Sequence, residues 1–305
     1  FWHNDCQTTT NNKLKTHTMK KYLLSFFILI TIGSSVSIAG GYEKFYEVLE
    51  SMRTNIYVKG ATFDFVKIER VNGKMISSTQ SVKYQAKPKK IYMKITAGPD
   101  AGTELLFVPT ENDGKVRVSA GRWVPTLSLS PFSSLLAKNQ RNTLYELGFA
   151  YTGKVLYKSF TKYKSKAKEF YYAGWASYEG LVKVNGRVCH KLLSENKEYK
   201  LIDYKVVEGD ILRKIAKKMV VDAYSIVEVN DNIDDNGDLK PGMVIKVPNS
   251  YAKKVEVYVD TINKLPVKQK MWDNSGLVAE YQYTNIKINP TFAADEFTED
   301  FDEYG

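Results

Sequence analysis

From Ala61 to Lys87 the chain reads ATFDFVKIERVNGKMISSTQSVKYQAK, alternating apolar positions such as Phe63 and Phe65 with polar ones and reversing at Asn72-Gly73. Successive side chains of an extended strand point to opposite faces, so a period of two predicts strands with one face buried. An Asn-Gly pair suits a two-residue hairpin turn, whose central residues need positive φ. The pattern recurs in KIYMKITA, TELLFVPT and GKVRVSA, separated by GPDAG and ENDGK. It returns in EFYYAGWASYE, LVKVNGRVCHKLLSE and KKVEVYVDTINKLPVKQKMWDNSGLVAEYQYTNIKIN. Such a chain is constrained to a long antiparallel meander.

Three stretches break that period. In YEKFYEVLESMRTN, Phe45, Val48, Leu49 and Met52 recur at i, i+3, i+4 and i+7, which predicts an amphipathic opening helix. From Arg122 to about Lys168 come Pro- and Ser-punctuated apolar pieces, RWVPTLSLSPFSSLLAKNQ, then a helix predicted around Leu156 to Tyr163. Trp123, Leu127, Leu129, Phe132, Leu135 and Leu136 are apolar enough that this segment is expected to leave water and cover one face of the sheet. The third break is YKVVEGDILRKIAKKMVVDAYSIVEVNDNIDDNGDLKPGMVIKVP, Tyr204 to Pro248. It predicts a strand from Tyr204 to Val207, a helix with Asp210 as N-cap and Leu212, Ile215 and Ala216 on one side, a second helix with Ile226 and Val229 inward, and a closing strand.

Met19 to Ala39, MKKYLLSFFILITIGSSVSIA, has two lysines, an apolar run and small residues at cleavage spacing, as a secretory signal peptide does. The alternative is a membrane anchor, but the apolar run is shorter than the ~20 residues a spanning helix needs. Residues 1–18 have no apolar pattern and are read as an upstream segment, and the mature chain is expected to begin near Gly40, with no transmembrane segment. That leaves Cys189 and His190 as the only Cys and His after the leader, which argues against a His/Cys metal cluster and an intramolecular disulfide. The formal charge is +10, of which residues 1–39 supply +3, leaving +7 on the remainder. That balance suits an anionic wall or lipid surface, and nucleic acid is not an expected partner of an exported protein.

The Tyr204–Pro248 stretch resembles the LysM module, whose pattern is met at Tyr204, Val206, Gly209, Asp210, Leu212, Ile215, Ala216, Asn230, Leu239, Gly242, Ile245, Val247 and Pro248. The resemblance implies binding of peptidoglycan or another N-acetylglucosamine polymer in a shallow groove, with Gly209, Asp210, Ile211 and Leu212 on one side and Ile233, Asp234 and Asp235 on the other. Main-chain amides would meet the N-acetyl group, and close approach calls for a glycine. The sequence departs from the family at Ile211, where Thr is usual, at Arg213, where an aromatic is common, and at Val220, where Gly often ends the first helix. A module kept as a spacer or docking knob is the alternative.

The flanking segments, among them FDFVKIERVNGK, KIYMKITAGPDAGTELLFV, VPTLSLSP, RNTLYELG and EYQYTNIKINPTFAADEF, resemble a bacterial family of exported proteins of unknown function. That resemblance implies the fold of the LolA and LppX lipid carriers, a curved antiparallel half-barrel with covering helices. The fold class expected is therefore α+β: a LolA-like half-barrel with an inserted small strand-helix-helix-strand LysM domain. Acyl chains would lie between sheet and helices, with Trp123, Leu127, Leu129, Phe132, Leu135, Tyr172, Trp175 and Trp272 as candidate lining, ordinary core being the other reading of each.

A wall hydrolase would need paired carboxylates, a zinc site or a Cys–His pair. Cys189 and His190 are neighbours in a strand-like segment and so point to opposite faces, and no acidic pair stands at a distinctive spacing. No catalytic residue, metal or cofactor is assigned. The expected organisation is an upstream segment (1–18), a signal peptide (19–39), a LolA-like domain in two parts (40–200 and 251–305) and a LysM domain (201–250). The expected role is that of a non-catalytic periplasmic or secreted envelope protein binding peptidoglycan and a lipid or lipoprotein. A fully packed scaffold that docks other proteins is the rival.

Overall fold

The computed structural model describes residues 41–300 except 122, 138–139, 162–166 and 235–237, so the leader and upstream segment lie outside the described residues. Strands β1 (Gly60–Val71), β2 (Lys74–Gln85), β3 (Lys90–Ala97), β4 (Glu104–Phe107), β5 (Val116–Ser119), β6 (Leu127–Leu129), β7 (Ala176–Val184) and β8 (Arg187–Glu195) come first. After β9 (Leu201–Lys205) and β10 (Val244–Pro248) follow β11 (Lys254–Asp260), β12 (Pro266–Asp273) and β13 (Gly276–Ile288). Eleven of them form one open antiparallel sheet in the order β6-β5-β4-β3-β2-β1-β13-β12-β11-β8-β7, which does not close into a barrel. The Asn72-Gly73 turn joins β1 to β2, with φ of 48° and 71° at its two residues, as the sequence predicts.

The opening helix, α1 over residues 41–55, buries its Phe45, Val48, Leu49 and Met52 stripe on the inner face of this sheet. Beside it lies α3 (Phe149–Thr161), whose Phe149 and Leu156 are buried in the same core. This helix starts seven residues before the predicted Leu156: Gly148, at φ 102°, ends the preceding loop, and Phe149, fully buried, anchors the first turn in the core. Gly153 lets α3 touch the end of α1: a Cβ there would stand 2.5 Å from Cγ2 of Ile56.

Two expectations for the segment after β5 are corrected. Its apolar residues are expected to leave water, yet Trp123 is 91% exposed and Leu135 55%, with Leu127 and Phe132 also exposed, while Leu129 and Leu136 are half-buried, Leu136 against the core. Among its described residues the segment contributes the short edge strand β6 and one turn of helix, α2 (Ser134–Ala137), and full burial falls to Leu144 and Leu147 farther along. The residues EFYY, read as strand, lie in the helix α4 (Ala167–Tyr172). Packing decides this: Tyr171 meets Tyr42 and Phe45 of α1 at ring distances of 5.4 and 5.7 Å, and the Lys197 ammonium donates to the Ala173 carbonyl just past the helix.

Strands β9 and β10 pair only with each other, and with α5 (Leu212–Met219) and α6 (Ala223–Val227) they enclose a second core containing Val206, Ile215, Ile226, Ile245 and Val247. The first strand begins earlier than predicted and ends at Lys205. Asp210 is not the N-cap; Ile211 is, without a side-chain cap. The Asp210 carboxylate instead closes the preceding turn, accepting from the Val207 N–H at 3.0 Å and the Tyr204 hydroxyl at 2.9 Å. Ile226 is buried as expected, whereas Val229 lies past the end of α6 and is half-buried. In the large sheet β8 neighbours β11, Glu195 facing Lys254, although residues 196–253 separate them in the chain. No helix among the described residues is long and apolar enough to cross a membrane.

Candidate functional site

A cavity of about 360 Å³ lies between the inner face of the sheet and the segments that cover it. Its floor follows from register. Gln269 of β12 pairs with Tyr281 of β13, Tyr281 with Lys67 of β1, and Lys67 with Ser78 of β2, so four polar residues form one row across four strands. The next row holds Tyr283, Phe65, Gln80 and Ile95; the one on the other side holds Met271, Ala279, Glu69 and Ile76. The cover supplies Leu135, Leu136, Leu144, Leu147, Tyr151 and Leu156, and β6 supplies Leu127 and Leu129.

The polar row is wired. The Tyr281 hydroxyl donates to Oε1 of Glu69 at 2.6 Å and accepts from Nδ2 of Asn142 at 2.8 Å. Burial, and then the Glu69 charge, hold the Tyr281 phenol well above its ordinary pKa, so it remains a donor. Glu69 also accepts from the Arg141 backbone N–H, and Lys67 lies 3.4 Å from Glu69 while donating to Gln140 at 2.8 Å. Gln269 spends its Nε2 on the Pro266 carbonyl at 3.2 Å. Gln269 Oε1, Asn142 Oδ1 and Ser78 Oγ are buried and have no hydrogen-bond partner among the described residues. Burial raises the pKa of the Glu146 carboxyl and the Tyr151 hydroxyl on the cover.

Of the lining candidates drawn from the sequence, Leu127, Leu129 and Leu135 line this cavity. Phe132 lies outside it, stacked on Tyr145 at 5.0 Å, and Trp123 stands in solvent. Tyr172 is exposed beside Tyr171, Trp175 is half-buried, and Trp272 carries the Lys254 ammonium over its ring. The polar residues of the floor were missed although the signal was present. Lys67 and Glu69 share the parity of Phe63 and Phe65, so whatever buries those rings draws both charges inward.

On the small unit, Gly209 is exposed at φ 76° with open space around it, and Asp210 and Ile211 flank it, half-buried. Leu212 and Ile233 are buried in the second core, Asp234 is exposed, and Asp235 lies outside the described residues. Asn230 ties the loop to β10, exchanging two hydrogen bonds of 2.8 Å with the Lys246 backbone.

The small unit meets the sheet along a charged seam. Arg141, almost fully buried, lies 2.8 Å from Glu228 and 3.3 Å from Asp222, with its guanidinium 4.8 Å over the Tyr224 ring. Arg70 of β1 reaches Glu228 at 2.9 Å and pairs with Asp273. The Tyr224 hydroxyl bridges the Asn72 turn, and Arg213 of α5 stacks on Phe132 at 4.0 Å. Burial raises the Asp222 pKa, and Arg141 opposes that shift.

Cys189 and His190 do not act on each other: the His190 ring bonds the Tyr178 hydroxyl at 3.0 Å, and burial pushes the Cys189 thiol up to about 11. Among the described residues, no group of three or more His, Cys, Asp or Glu side chains is placed to hold a metal ion.

The chain thus combines an open antiparallel sheet over a covered cavity with a small two-strand, two-helix unit. Residues 204–248 are a LysM domain, and residues 58–208 match the family described as protein of unknown function, DUF1571. No curated protein matches the chain in sequence. Among solved structures it is similar to MucB at 15% identity, TM-score 0.40, over 84% of this chain and 62% of that one, so it spans less than two thirds of MucB. It is also similar to the Mycobacterium tuberculosis lipoprotein LppX (11%, TM-score 0.38, 82% and 98% covered). A LolA superfamily protein from Nitrosomonas europaea is a further neighbour (11%, TM-score 0.30, 84% and 98% covered).

Proposed function

We propose that this is a non-catalytic protein of the cell envelope, periplasmic or secreted, which grips an N-acetylglucosamine polymer such as peptidoglycan through its LysM domain and holds a lipid or an acylated partner in the cavity. The observation that carries the reading is that cavity: about 360 Å³ left open beneath a covering segment in a chain that also has a LysM domain. Apolar surface buried there by a hydrocarbon chain is worth about 25 cal/mol per Å². On the LysM domain the groove is assigned to Gly209, Asp210, Ile211 and Leu212 facing Ile233, Asp234 and Asp235. The exposed backbone at Gly209 supports this, and buried Leu212 and Ile233 would contribute through their main chain. The domain division proposed is a LysM unit at 201–250 inserted between the two parts of the sheet domain, which the adjacency of β8 and β11 supports.

Sedimentation with insoluble peptidoglycan, competed by N-acetylglucosamine oligomers, tests the first half; protein left in the supernatant rejects it. Native mass spectrometry and solvent extraction of the purified chain test the second, retained lipid being the expected result. Clearing in a peptidoglycan zymogram would overturn the non-catalytic assignment. The rival, a scaffold that docks proteins, is favoured by the exposed apolar side chains Trp123, Val124, Phe132 and Leu135 of the segment that follows β5. That reading predicts a chain that extracts without lipid.

A further inference from the structure

Two lone amide oxygens, Gln269 Oε1 and Asn142 Oδ1, and one unpartnered hydroxyl, Ser78 Oγ, in one buried chamber constrain what fills it. Resting on the lipid-holding reading above, we infer that the cavity selects an uncharged amphiphile whose head carries hydroxyl or amide N–H donors, and discriminates against a carboxylate or phosphate head of equal chain length.

Side-chain amides are ambiguous until their partners are traced, and here both are fixed. The Tyr281 hydroxyl hydrogen is committed to Glu69, so that hydroxyl can only accept from Asn142; the Asn142 NH2 must face it, and Oδ1 is turned away. Gln269 faces the Pro266 carbonyl, an acceptor, so its NH2 is fixed there too and Oε1 is the free atom. Gln269 is 0% exposed, and its oxygen, like that of Asn142 and the Ser78 hydroxyl, lacks a partner among the described residues while its residue lines the cavity. A buried acceptor without a donor costs free energy that a ligand hydroxyl or N–H recovers.

Charge gives the second half of the argument. Lys67 is the one cation lining the chamber among the described residues, and it is already met by Glu69 and Gln140; Glu69 in turn takes the Tyr281 hydroxyl and the Arg141 N–H. The Arg141 guanidinium is engaged by Asp222 and Glu228 in the seam. An anionic head would therefore enter without a free counter-charge and face two amide oxygens, which repel it; a neutral donor head meets those same oxygens favourably. The hydrocarbon would lie along Phe65 and Tyr283 toward Leu127, Leu129 and Leu135.

The test is competition on the full chain. Uptake of uncharged N-phenyl-1-naphthylamine reports whether the cavity takes an apolar ligand at all. Displacement is then compared for monolauroylglycerol, laurate and methyl laurate below their micelle concentrations. Monolauroylglycerol is expected to displace the dye at a concentration at least tenfold lower than either of the others. Gln269→Leu should bring the three within threefold while dye uptake persists. Asn142→Ala, which removes the other lone amide oxygen, should narrow the same gap and decides the matter if Gln269→Leu does not fold. Laurate competing as well as the glyceride, or a preference unchanged in the variants that fold, overturns the head-group selection while leaving lipid binding intact. No dye uptake by the wild-type chain overturns the lipid reading itself, and this inference with it.

Discussion

Val220 ends α5 in the left-handed region, φ 60° and ψ 51°, where a β-branched side chain is strained. Glycine often ends the first helix of a LysM module there, so the departure visible in the sequence has a conformational cost in the structure. Val220→Gly is expected to stabilise the chain by about 1 kcal/mol, the relief of strain exceeding the entropy glycine loses on folding. A urea midpoint unchanged or lower in the variant would contradict this. His190 makes a second prediction. Burial, with Lys44 and Lys264 adding to it and Glu47 opposing, holds its folded pKa below the ordinary imidazole value of 6.5. As pH falls below that value the unfolded chain takes up the proton first, so wild-type stability falls there. His190→Phe removes this proton uptake, and the difference between variant and wild type should grow in the variant's favour from pH 7 to pH 5. A difference that stays flat over that range would show that His190 does not titrate between the two states.

Elements were legible where period and turn chemistry agree. The strands on either side of Asn72-Gly73 and the α1 stripe follow from spacing alone, since each needs only its own residues to define a face. Helix α4 did not, because EFYYAGWASYE is aromatic-rich and short enough to suit either state, and only the α1 rings beside Tyr171 select the helix. The seam between α6 and the sheet was equally hidden. Arg70 and Glu228 lie 158 residues apart, and nothing local marks them as partners. Arg141→Met should cost about 3–5 kcal/mol, because it leaves Asp222 buried without its cation and takes one of two cations from Glu228, which keeps Arg70. Adding Asp222→Asn and Glu228→Gln should recover much of that loss. If the single variant unfolds at the wild-type denaturant concentration, the seam contributes no net stability.

At the scale of the molecule, the chain enters and leaves the LysM unit at one place. Asn249 donates to the Glu198 carbonyl at 2.8 Å and exchanges hydrogen bonds with the Lys200 backbone, and Asn196 reaches Ser250 at 3.0 Å. Replacing residues 201–249 by Gly-Gly, with Arg141 changed to Met so that its charge is not stranded while Arg70 keeps Asp273, is expected to leave a sheet that unfolds cooperatively and still takes up dye. A chain that fails to fold would show that the two cores depend on each other. Most strands and their turns, and the LysM spacing, were legible in the sequence, because these rest on period and on residue types a few positions apart. Tertiary structure alone decided that Gln269, Tyr281, Lys67 and Ser78 share a row and that Arg141 closes a seam. Register across distant strands is a property of the assembled sheet, and a polar residue on an inward parity declares its role only when the neighbouring strands are in place.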